Sequence, residues 1–397
     1  DDYEEFEVSE DSPFSAVVFK TIADPFLGKI SIFKVLSGAI KKDQNFYDIS
    51  KDKELKASNI FYLRGKEQYK TEKIVAGDIG AFSKQDILQT GDSLCTKESP
   101  IEYKKIKYPR PVLYYAIEAE SKNDEDKISA ALKKLSEEDP TFEDRRDAET
   151  HQEVLAGLGN VQLEVLMDKL KENYSVNTKI VDLKIPYRET IKGKSDVQGK
   201  HKKQSGGAGQ YGDVFIRFEP CDEEFVFDEE VFGGAVPKNY FPAVEKGLRD
   251  SMDEGPLAGY KVVGIKATLY DGSYHPVDSN EQAFKSAARL AFKKGIVEAK
   301  PILLEPIMKL EIKVDEKYMG DVMGDMNKRR GKILGMEPQE DGSQIISALA
   351  PDSVVLKYSI DLRSMTQARG SFSMEFDKYE EVPKEITEKI IEENKKE

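Results

Sequence analysis

Cysteine and histidine are scarce in this sequence of 397 residues, which contains two cysteines and three histidines. Cys95 and Cys221 lie far apart, so a disulfide framework is not expected and a reducing cytoplasm is the compartment that fits them. The histidines (His151, His201 and His275) are equally scattered. The sequence therefore predicts no metal site.

Long apolar runs are missing as well. No segment approaches the roughly 20 apolar residues that span a membrane, and the acidic first residues do not resemble a signal peptide. The composition, 39% hydrophobic and 34% charged, is that of a globular protein. The length corresponds to roughly three or four domains. We expect a monomer without a membrane partner, cut from a longer protein and starting in an acidic linker at residues 1–12.

The charge balance excludes a general nucleic-acid binder but leaves room for one oriented contact. The net charge is −14, from 60 basic and 74 acidic residues, which is the wrong sign for diffuse binding to a polyanion. However, residues 192–203 contain five lysines and one aspartate. Such a local basic patch indicates contact with a polyanion, although a solvated lysine face would have the same composition.

The order of predicted elements divides the chain into several domains and indicates a multidomain α+β fold. Residues 13–105 contain short strands separated by turns, which favours a barrel or sandwich. Residues 110–183 and 305–380 each predict the β-α-β-β-α-β order of a ferredoxin-like domain. Residues 186–304 predict another αβ domain, and a charged C-terminal helix at 381–397 is expected to pack on it.

Apolar periodicity predicts the buried faces of two helices. A helix over Lys238–Glu254 buries Tyr240, Val244, Leu248 and Met252. A helix over Asn160–Asn173 carries the apolar residues Val161, Val165, Leu166 and Leu170. A later helix is predicted to begin with a capping box formed by Ser279 and Gln282.

Residues 201–214, HKKQSGGAGQYGDV, place lysines before a glycine-rich loop. A Walker P-loop requires a glycine, four residues and then Gly-Lys-Ser/Thr. Gly193-Lys194-Ser195 supplies the second half, but Arg188 occupies the position of the first glycine. An Asn-Lys-x-Asp motif is absent, and the glycines do not open a helix as in a Rossmann fingerprint. No nucleotide cofactor is therefore expected in this chain.

Two loops remain as candidate contact sites. A glycine loop at residues 206–209 can approach a nucleic-acid backbone and offer amides to phosphates, and Tyr211 can stack on an unpaired base. A mobile hairpin end with no ligand is the alternative. The second loop carries Tyr274 and His275. No nucleophile with an orienting acid accompanies His275, so a catalytic triad is not predicted.

Four stretches resemble bacterial elongation factor G, a ribosomal translocation GTPase. They are QSGGAGQYGDV at 204–214 and the segments 232–250, 269–288 and 305–333. The resemblance covers nearly the whole chain after about residue 13. It implies domains II to V without the amino-terminal GTPase domain: a β-barrel, a ferredoxin-like domain, an αβ domain similar to domain 2 of ribosomal protein S5, and a second ferredoxin-like domain.

The resemblance also implies a site. In this family the glycine-rich loop and the strand-to-helix loop lie together at the tip of domain IV, which enters the decoding region of the small ribosomal subunit behind the moving transfer RNA. The implied RNA-binding residues are Lys202, Lys203, Ser205, Gly206, Gly207, Gly209, Gln210, Tyr211, Gly272, Ser273, Tyr274, His275 and Asp278.

The expected partners are ribosomal RNA and proteins, transfer RNA and the GTPase domain. GTP and magnesium would belong to that GTPase domain, and this chain is expected to hold no catalytic residue, metal or cofactor.

Two departures from the family pattern suggest a divergent paralogue. Ala208 stands where the family commonly has a basic residue, and Asn160 and Gln162 replace an acid and a histidine in a segment that faces the GTPase switch regions. Coupling to GTP hydrolysis can therefore differ. A tetracycline-resistance ribosomal protection protein, a free-standing ribosomal-RNA-binding module and an enzyme using His275 as a base remain alternatives. The sequence does not separate translocation, ribosome recycling and regulation.

Overall fold

The computed structural model describes residues 8–24, 28–203 and 209–394. By their internal contacts the described residues form two compact units, one within 1–184 together with 356–364, and one within 185–355 together with 365–397. Helices and sheets alternate through both, which confirms the predicted multidomain α+β class. No helix in the described ranges combines the length and the apolar content that crossing a membrane requires.

The first unit begins with strands that wrap around an apolar core. They are β1 (Ser15–Asp24), β2 (Gly28–Ser37), β3 (Ala39–Lys41), β4 (Asn45–Asp48), β5 (Lys53–Lys56), β6 (Ile60–Arg64), β7 (Glu67–Lys70), β8 (Lys73–Val75), β9 (Ile79–Ser83) and β10 (Ser93–Cys95). Eight form an antiparallel sheet in the order β5-β4-β10-β1-β2-β9-β6-β7, and β3 pairs with β8. In the core, the Phe82 ring stacks on Phe33 and Phe46, with centroids 4.2 and 4.9 Å away. This is the predicted β-barrel.

The next block has the predicted ferredoxin-like order. Its elements are β11 (Leu113–Ala119), α1 (Lys122–Glu138), β12 (Glu143–Arg146), β13 (Glu153–Gly157), α2 (Asn160–Tyr174) and β14 (Thr178–Val181). The antiparallel sheet runs β12-β13-β11-β14. Glu137 and Glu138 at the end of α1 contact the barrel: Glu137 pairs with Lys29 at 3.1 Å, and Glu138 Oε1 accepts from the Ala23 amide at 2.8 Å.

The apolar residues expected on α2 are only partly buried. Leu166 and Leu170 are buried as expected, but Leu163 completes the buried stripe. Val161 and Val165 are 63% and 48% exposed. The helix has two apolar stripes, one of valines and one of leucines. The leucine stripe faces the sheet, because its larger side chains bury more apolar area there.

The second unit contains a four-stranded sheet covered by two helices. The elements of this region are β15 (Arg188–Ile191), β16 (Ser195–Lys203), β17 (Gln210–Pro220), β18 (Phe225–Glu229), α3 (Phe241–Met252), β19 (Lys261–Val262), β20 (Ile265–Ser273) and α4 (Glu281–Glu298). The sheet order is β16-β17-β20-β18, with β18 parallel to β20. Val244, Leu248 and Met252 of α3 are buried as predicted, whereas Lys238–Tyr240 forms a 3-10 turn before the helix.

Two glycines allow α4 to lie against this sheet. A Cβ on Gly199 of β16 would come within 2.1 Å of the Ala287 carbonyl oxygen, and a Cβ on Gly212 of β17 would come within 2.5 Å of the Ala283 carbonyl oxygen. Both strands therefore run in direct contact with the helix backbone, which fixes where α4 begins relative to the start of β17.

The last block repeats the ferredoxin-like order. It contains β21 (Pro301–Asp315), α5 (Met319–Lys328), β22 (Lys332–Pro338), β23 (Ser343–Pro351), α6 (Asp352–Val355), α7 (Tyr358–Met365), β24 (Ser371–Glu381) and finally α8 (Lys384–Asn394). Its strands pair as β22-β23-β21-β24, which is the pattern of the first copy. The second helical position of the predicted order is occupied by two helices, α6 and α7.

Helix α8 packs beside the loop after α3. Ile390 and Val382 form a small apolar cluster with Leu303 and, partly buried, Leu257. The Asn394 side chain donates to the Ala258 carbonyl at 2.8 Å.

The Glu189 carboxylate organises this same loop from inside. It is fully buried and accepts from the amides of Leu257, Ala258 and Tyr260 at 2.9, 2.7 and 3.1 Å. Burial raises the pKa of Glu189, and the backbone donors act in the opposite direction.

Leu248→Ala should lower the free energy of unfolding of the second unit by about 2–5 kcal/mol, because it leaves a cavity in the α3–α4 core. Leu290→Ala is the matched control, since Leu290 is 48% exposed whereas Leu248 is completely buried. Urea titration measures both. Equal effects at the two positions would contradict the assigned faces.

Glu189→Gln should destabilise the second unit by about 1–3 kcal/mol, because the amide turns donor hydrogens toward backbone donors and leaves buried N–H groups unpaired. Glu254→Gln, at an exposed neighbouring position, is the control and should have no measurable effect. Urea titration measures both variants. A Glu189→Gln variant as stable as the original protein would contradict the proposed role of this carboxylate.

Candidate nucleic-acid interface

The β16–β17 hairpin carries the first candidate loop at its end. Lys203 pairs with Gln210 and Lys202 pairs with Tyr211 in the last rungs of the ladder. Both lysines are exposed. Ser205, Gly206 and Gly207, together with Ala208, lie outside the described residues, and Gly209 is the first described residue after them.

The second candidate loop, residues 274–280, connects β20 to α4. Strand β20 pairs with β17 in the register Asp213 with Ser273 and Val214 with Gly272. This register brings the end of β20, and the loop that follows it, beside the hairpin end. The structure therefore brings the described residues of the two predicted loops together.

Hydrogen bonds through Tyr211 join the two loops. The Tyr211 amide donates to the Asp278 carbonyl at 2.8 Å, and the Ser279 hydroxyl donates to the Tyr211 carbonyl at 2.8 Å. Ser279 Oγ also accepts from the His275 amide at 2.8 Å. A Cβ on Gly209 would lie 2.4 Å from Asp278 Oδ1, so the hairpin end passes directly over the second loop.

The capping box predicted for Ser279 and Gln282 was wrong. Asn280 is the N-cap of α4, and its Oδ1 accepts from the Ala283 amide at 2.8 Å. The Ser279 hydroxyl is already bonded to Tyr211, 68 residues away along the chain. It also accepts from the His275 amide, and the adjacent asparagine caps the helix instead.

His275 is held by the backbone of its own loop. Its Nδ1 accepts from the amides of Val277 and Asp278 at 3.3 and 3.1 Å. This role assigns the proton of the neutral ring to Nε2, which is then a donor. Asp278 Oδ2 lies 3.4 Å from Nδ1, but an ion pair there needs a proton on Nδ1 and gives up both backbone bonds. The side chain, 49% exposed, is suited to donate to an anionic oxygen.

A buried carboxylate, Asp213, lies directly under the two loops. It is 4% exposed. Its Oδ1 accepts from Gln198 Nε2 at 2.7 Å, and its Oδ2 accepts from the Ser273 hydroxyl at 2.7 Å. Because the Ser273 hydrogen is used in this way, Tyr211 Oη donates to Ser273 Oγ across 2.7 Å. The result is a directed chain of hydrogen bonds from Tyr211 to Asp213.

Lys200 supplies the positive charge of this network. Its Nζ lies 3.7 Å from Asp213 Oδ2 and 5.4 Å from the centroid of the Tyr211 ring. The Tyr211 hydroxyl and, after it, the Asp213 carboxylate raise the pKa of Lys200 above its ordinary value. The lysine is therefore charged at neutral pH and offsets the buried carboxylate.

The tip consequently has an internal layer and an outer surface. Tyr211, half-buried between Lys200 and His275, belongs to the internal layer. The exposed aromatic ring is Tyr274, at 48%, beside His275. Sequence reasoning missed Asp213 and Gln198, because their partners are brought near only by strand pairing.

In the ranges that the structure describes, His, Cys, Asp and Glu side chains form no group of three that could hold a metal ion.

Ser279→Ala should loosen the join between the loops without unfolding the domain. It removes the acceptor of the His275 amide, so hydrogen exchange at that amide should accelerate about fivefold to tenfold, as expected for losing a bond worth about 1 kcal/mol. Mass-spectrometric hydrogen exchange measures this. Ser286→Ala in α4 is the control, and unchanged exchange at His275 in Ser279→Ala would contradict the proposed join.

Family models match the chain in four consecutive segments. They describe elongation factor G domain 2 at residues 13–97, domain III at 108–182, domain IV at 183–300 and the elongation factor G C-terminus at 302–390. The two candidate loops fall within the domain IV match.

A solved structure agrees with this assignment. A crystal structure of a protein from Thermus thermophilus superposes with a TM-score of 0.85 at 37% sequence identity. The match covers 98% of this chain and 58% of that chain, so the present sequence spans less than two thirds of its relative. With four family models matching in order and a structure of this similarity, the chain belongs to the elongation factor G family.

Proposed function

We propose that this chain forms the ribosome-contacting part of a translation factor that drives translocation or ribosome recycling, and that the domain IV tip contacts RNA at the decoding region beside transfer RNA. Membership in the elongation factor G family supports a role in translation and interaction with the ribosome in general. The tip geometry is the observation that carries the finer proposal.

The outer surface of the tip has the chemistry that RNA requires. Lys202 and Lys203 are exposed, and no ion pair engages either of them among the described residues. His275 presents an Nε2 donor, and Tyr274 presents a ring that can stack on an unpaired base. Because hydrogen bonds fix the second loop and join it to Tyr211, Tyr274 and His275 need little reordering on binding, which lowers the entropic cost of the contact.

GTP would act through a domain other than those matched here. We propose that GTP and magnesium bind a GTPase domain joined to this chain, and that hydrolysis there orders or releases the domains described above on the ribosome. Within this chain, Asn160 and Gln162 lie at the start of α2. Gln162 is bonded internally, to Leu158 N at 2.7 Å and to Asp139 Oδ2 at 2.7 Å. We propose a cytoplasmic monomer without catalytic residues of its own in this chain.

In the full-length protein, replacing Lys202 and Lys203 by alanine, or His275 by alanine, should slow ribosome-dependent translocation or recycling at least about tenfold. A tenfold decrease corresponds to a rise of about 1.4 kcal/mol in the activation free energy. Stopped-flow fluorescence of labelled transfer RNA, and subunit dissociation followed by light scattering, measure the two activities. The melting temperature should barely change, because exposed substitutions usually alter stability by less than about 0.5 kcal/mol.

Lys293→Ala combined with Lys294→Ala is the matched control, since these lysines are exposed on α4 of the same domain, away from the loops. This control should keep both activities. Full activity in the tip variants, or an equal loss in the control, would count against RNA contact at the tip.

A further inference from the structure

A second cationic surface lies on the first unit, far along the chain from the tip. Residues Lys104–Arg110, KKIKYPR, contain four basic residues and no acidic one in a protein whose net charge is −14. We call them the basic segment. It joins the barrel to the first ferredoxin-like block and lies in neither helix nor strand.

The basic segment is held in place at its start. The Tyr103 hydroxyl shares a hydrogen bond of 2.7 Å with Ser15 Oγ on β1, and the Tyr103 amide donates to Ser93 Oγ at 2.9 Å. Beyond Tyr103, a shallow cleft separates the segment from Phe19 and its neighbours on β1. The segment therefore lies along the barrel rather than hanging free.

The charges of the basic segment are not used inside the protein. Every residue from Lys104 to Arg110 is exposed, and within the described ranges none of its four cations forms an ion pair. Among the described residues, other barrel lysines also lack a carboxylate partner, but the basic segment places four cations within seven consecutive residues. Unpaired cations at this density repel one another, so an external polyanion would relieve that repulsion.

The backbone and the apolar side chains favour a nucleic acid as that polyanion. Within the described residues the amides of the basic segment donate to no protein acceptor, so they are free for phosphate oxygens. Pro109 and Pro111 favour an extended chain, in which the seven residues span roughly 20 Å along several consecutive phosphates. Ile106, Tyr108 and Phe19 are 64%, 36% and 39% exposed and can contact sugars or bases beside those phosphates.

The structure assigns to the basic segment an RNA-backbone contact separate from the domain IV tip. This extends the proposed function, on which it rests for the choice of RNA as partner. The ribosome would then be contacted by one surface in each unit. A membrane surface with anionic lipids is the competing class of partner, and the test below includes it.

The test uses the whole chain and a fluorescein-labelled RNA duplex of about 16 base pairs, followed by fluorescence anisotropy between about 50 and 200 mM salt. The variant carries Lys104→Gln, Lys105→Gln, Lys107→Gln and Arg110→Gln. The matched control carries Lys53→Gln, Lys66→Gln, Lys70→Gln and Lys97→Gln, which are exposed positions of the same barrel that lack ion pairs in the described ranges. Both variants lose the same charge.

We expect the basic-segment variant to bind RNA at least about tenfold more weakly at low salt. The slope of log K against log salt should fall by about 3, because up to four phosphate contacts are lost at about 0.7–0.9 each. The control should stay within about twofold of the original protein. Equal losses in both variants, no RNA binding by the original protein, or stronger binding to phosphatidylserine vesicles than to RNA would overturn the assignment.

This test is independent of translation. It needs no ribosome, so a protein inactive in translocation and recycling could still show the contact. Conversely, the protein could be active on ribosomes while the basic-segment variant binds RNA as tightly as the original protein. That result would refute this inference and leave the proposed function unchanged.

Discussion

A buried negative charge beneath the tip, the Asp213 carboxylate, is the constraint on which the geometry of the site depends. A carboxylate at 4% exposure is costly unless donors surround it. Gln198, Ser273 and Lys200 meet that requirement, and each comes from a different position in the sheet. The contacts that stabilise this one carboxylate therefore fix the register of β16, β17 and β20 near the two loops.

The outer surface of the tip follows from that inner layer. The Ser273 hydrogen points to Asp213, so Tyr211 Oη is the donor to Ser273 Oγ, and Tyr211 in turn bonds to Asp278 and Ser279 through its backbone. The side chains that remain outside the network are the lysines of the hairpin end, the Tyr274 ring and His275 Nε2. This surface of donors and cations is therefore a local exception on an acidic protein, and the hydrogen bonds beneath it hold it in place.

Much of the fold could be predicted from the sequence, because apolar periodicity and turn residues act locally. The β-α-β-β-α-β order of both ferredoxin-like blocks and the buried face of α3 are examples. The predictions fail where contacts between residues distant in the sequence determine the structure. Ser279 has good N-cap chemistry, but its hydroxyl bonds the Tyr211 carbonyl and the His275 amide, and Asn280 caps α4. On α2, valine and leucine stripes are both plausible, and only packing against the sheet selects Leu163 over Val161.

The residues of the candidate site also fall into two groups, those that could be identified from the sequence and those that only the structure shows. The outer residues could be found from lysine density, glycine content and family resemblance, which are properties of short segments. Asp213 and Gln198 could not, since an aspartate in a strand has no visible partner until the sheet forms. Ser205, Gly206 and Gly207 remain a prediction, because they lie outside the described residues.

The most direct measurement is hydroxyl-radical cleavage of ribosomal RNA from the tip. Val277 is 84% exposed, so Val277→Cys can carry tethered iron; Cys221→Ser removes the other accessible thiol, and Cys95 is buried. With the full-length protein bound to ribosomes, cleavage should be concentrated in the decoding region of the small subunit. Cleavage only at other sites, or none above that of a protein labelled at a Lys293→Cys position on α4, would contradict it.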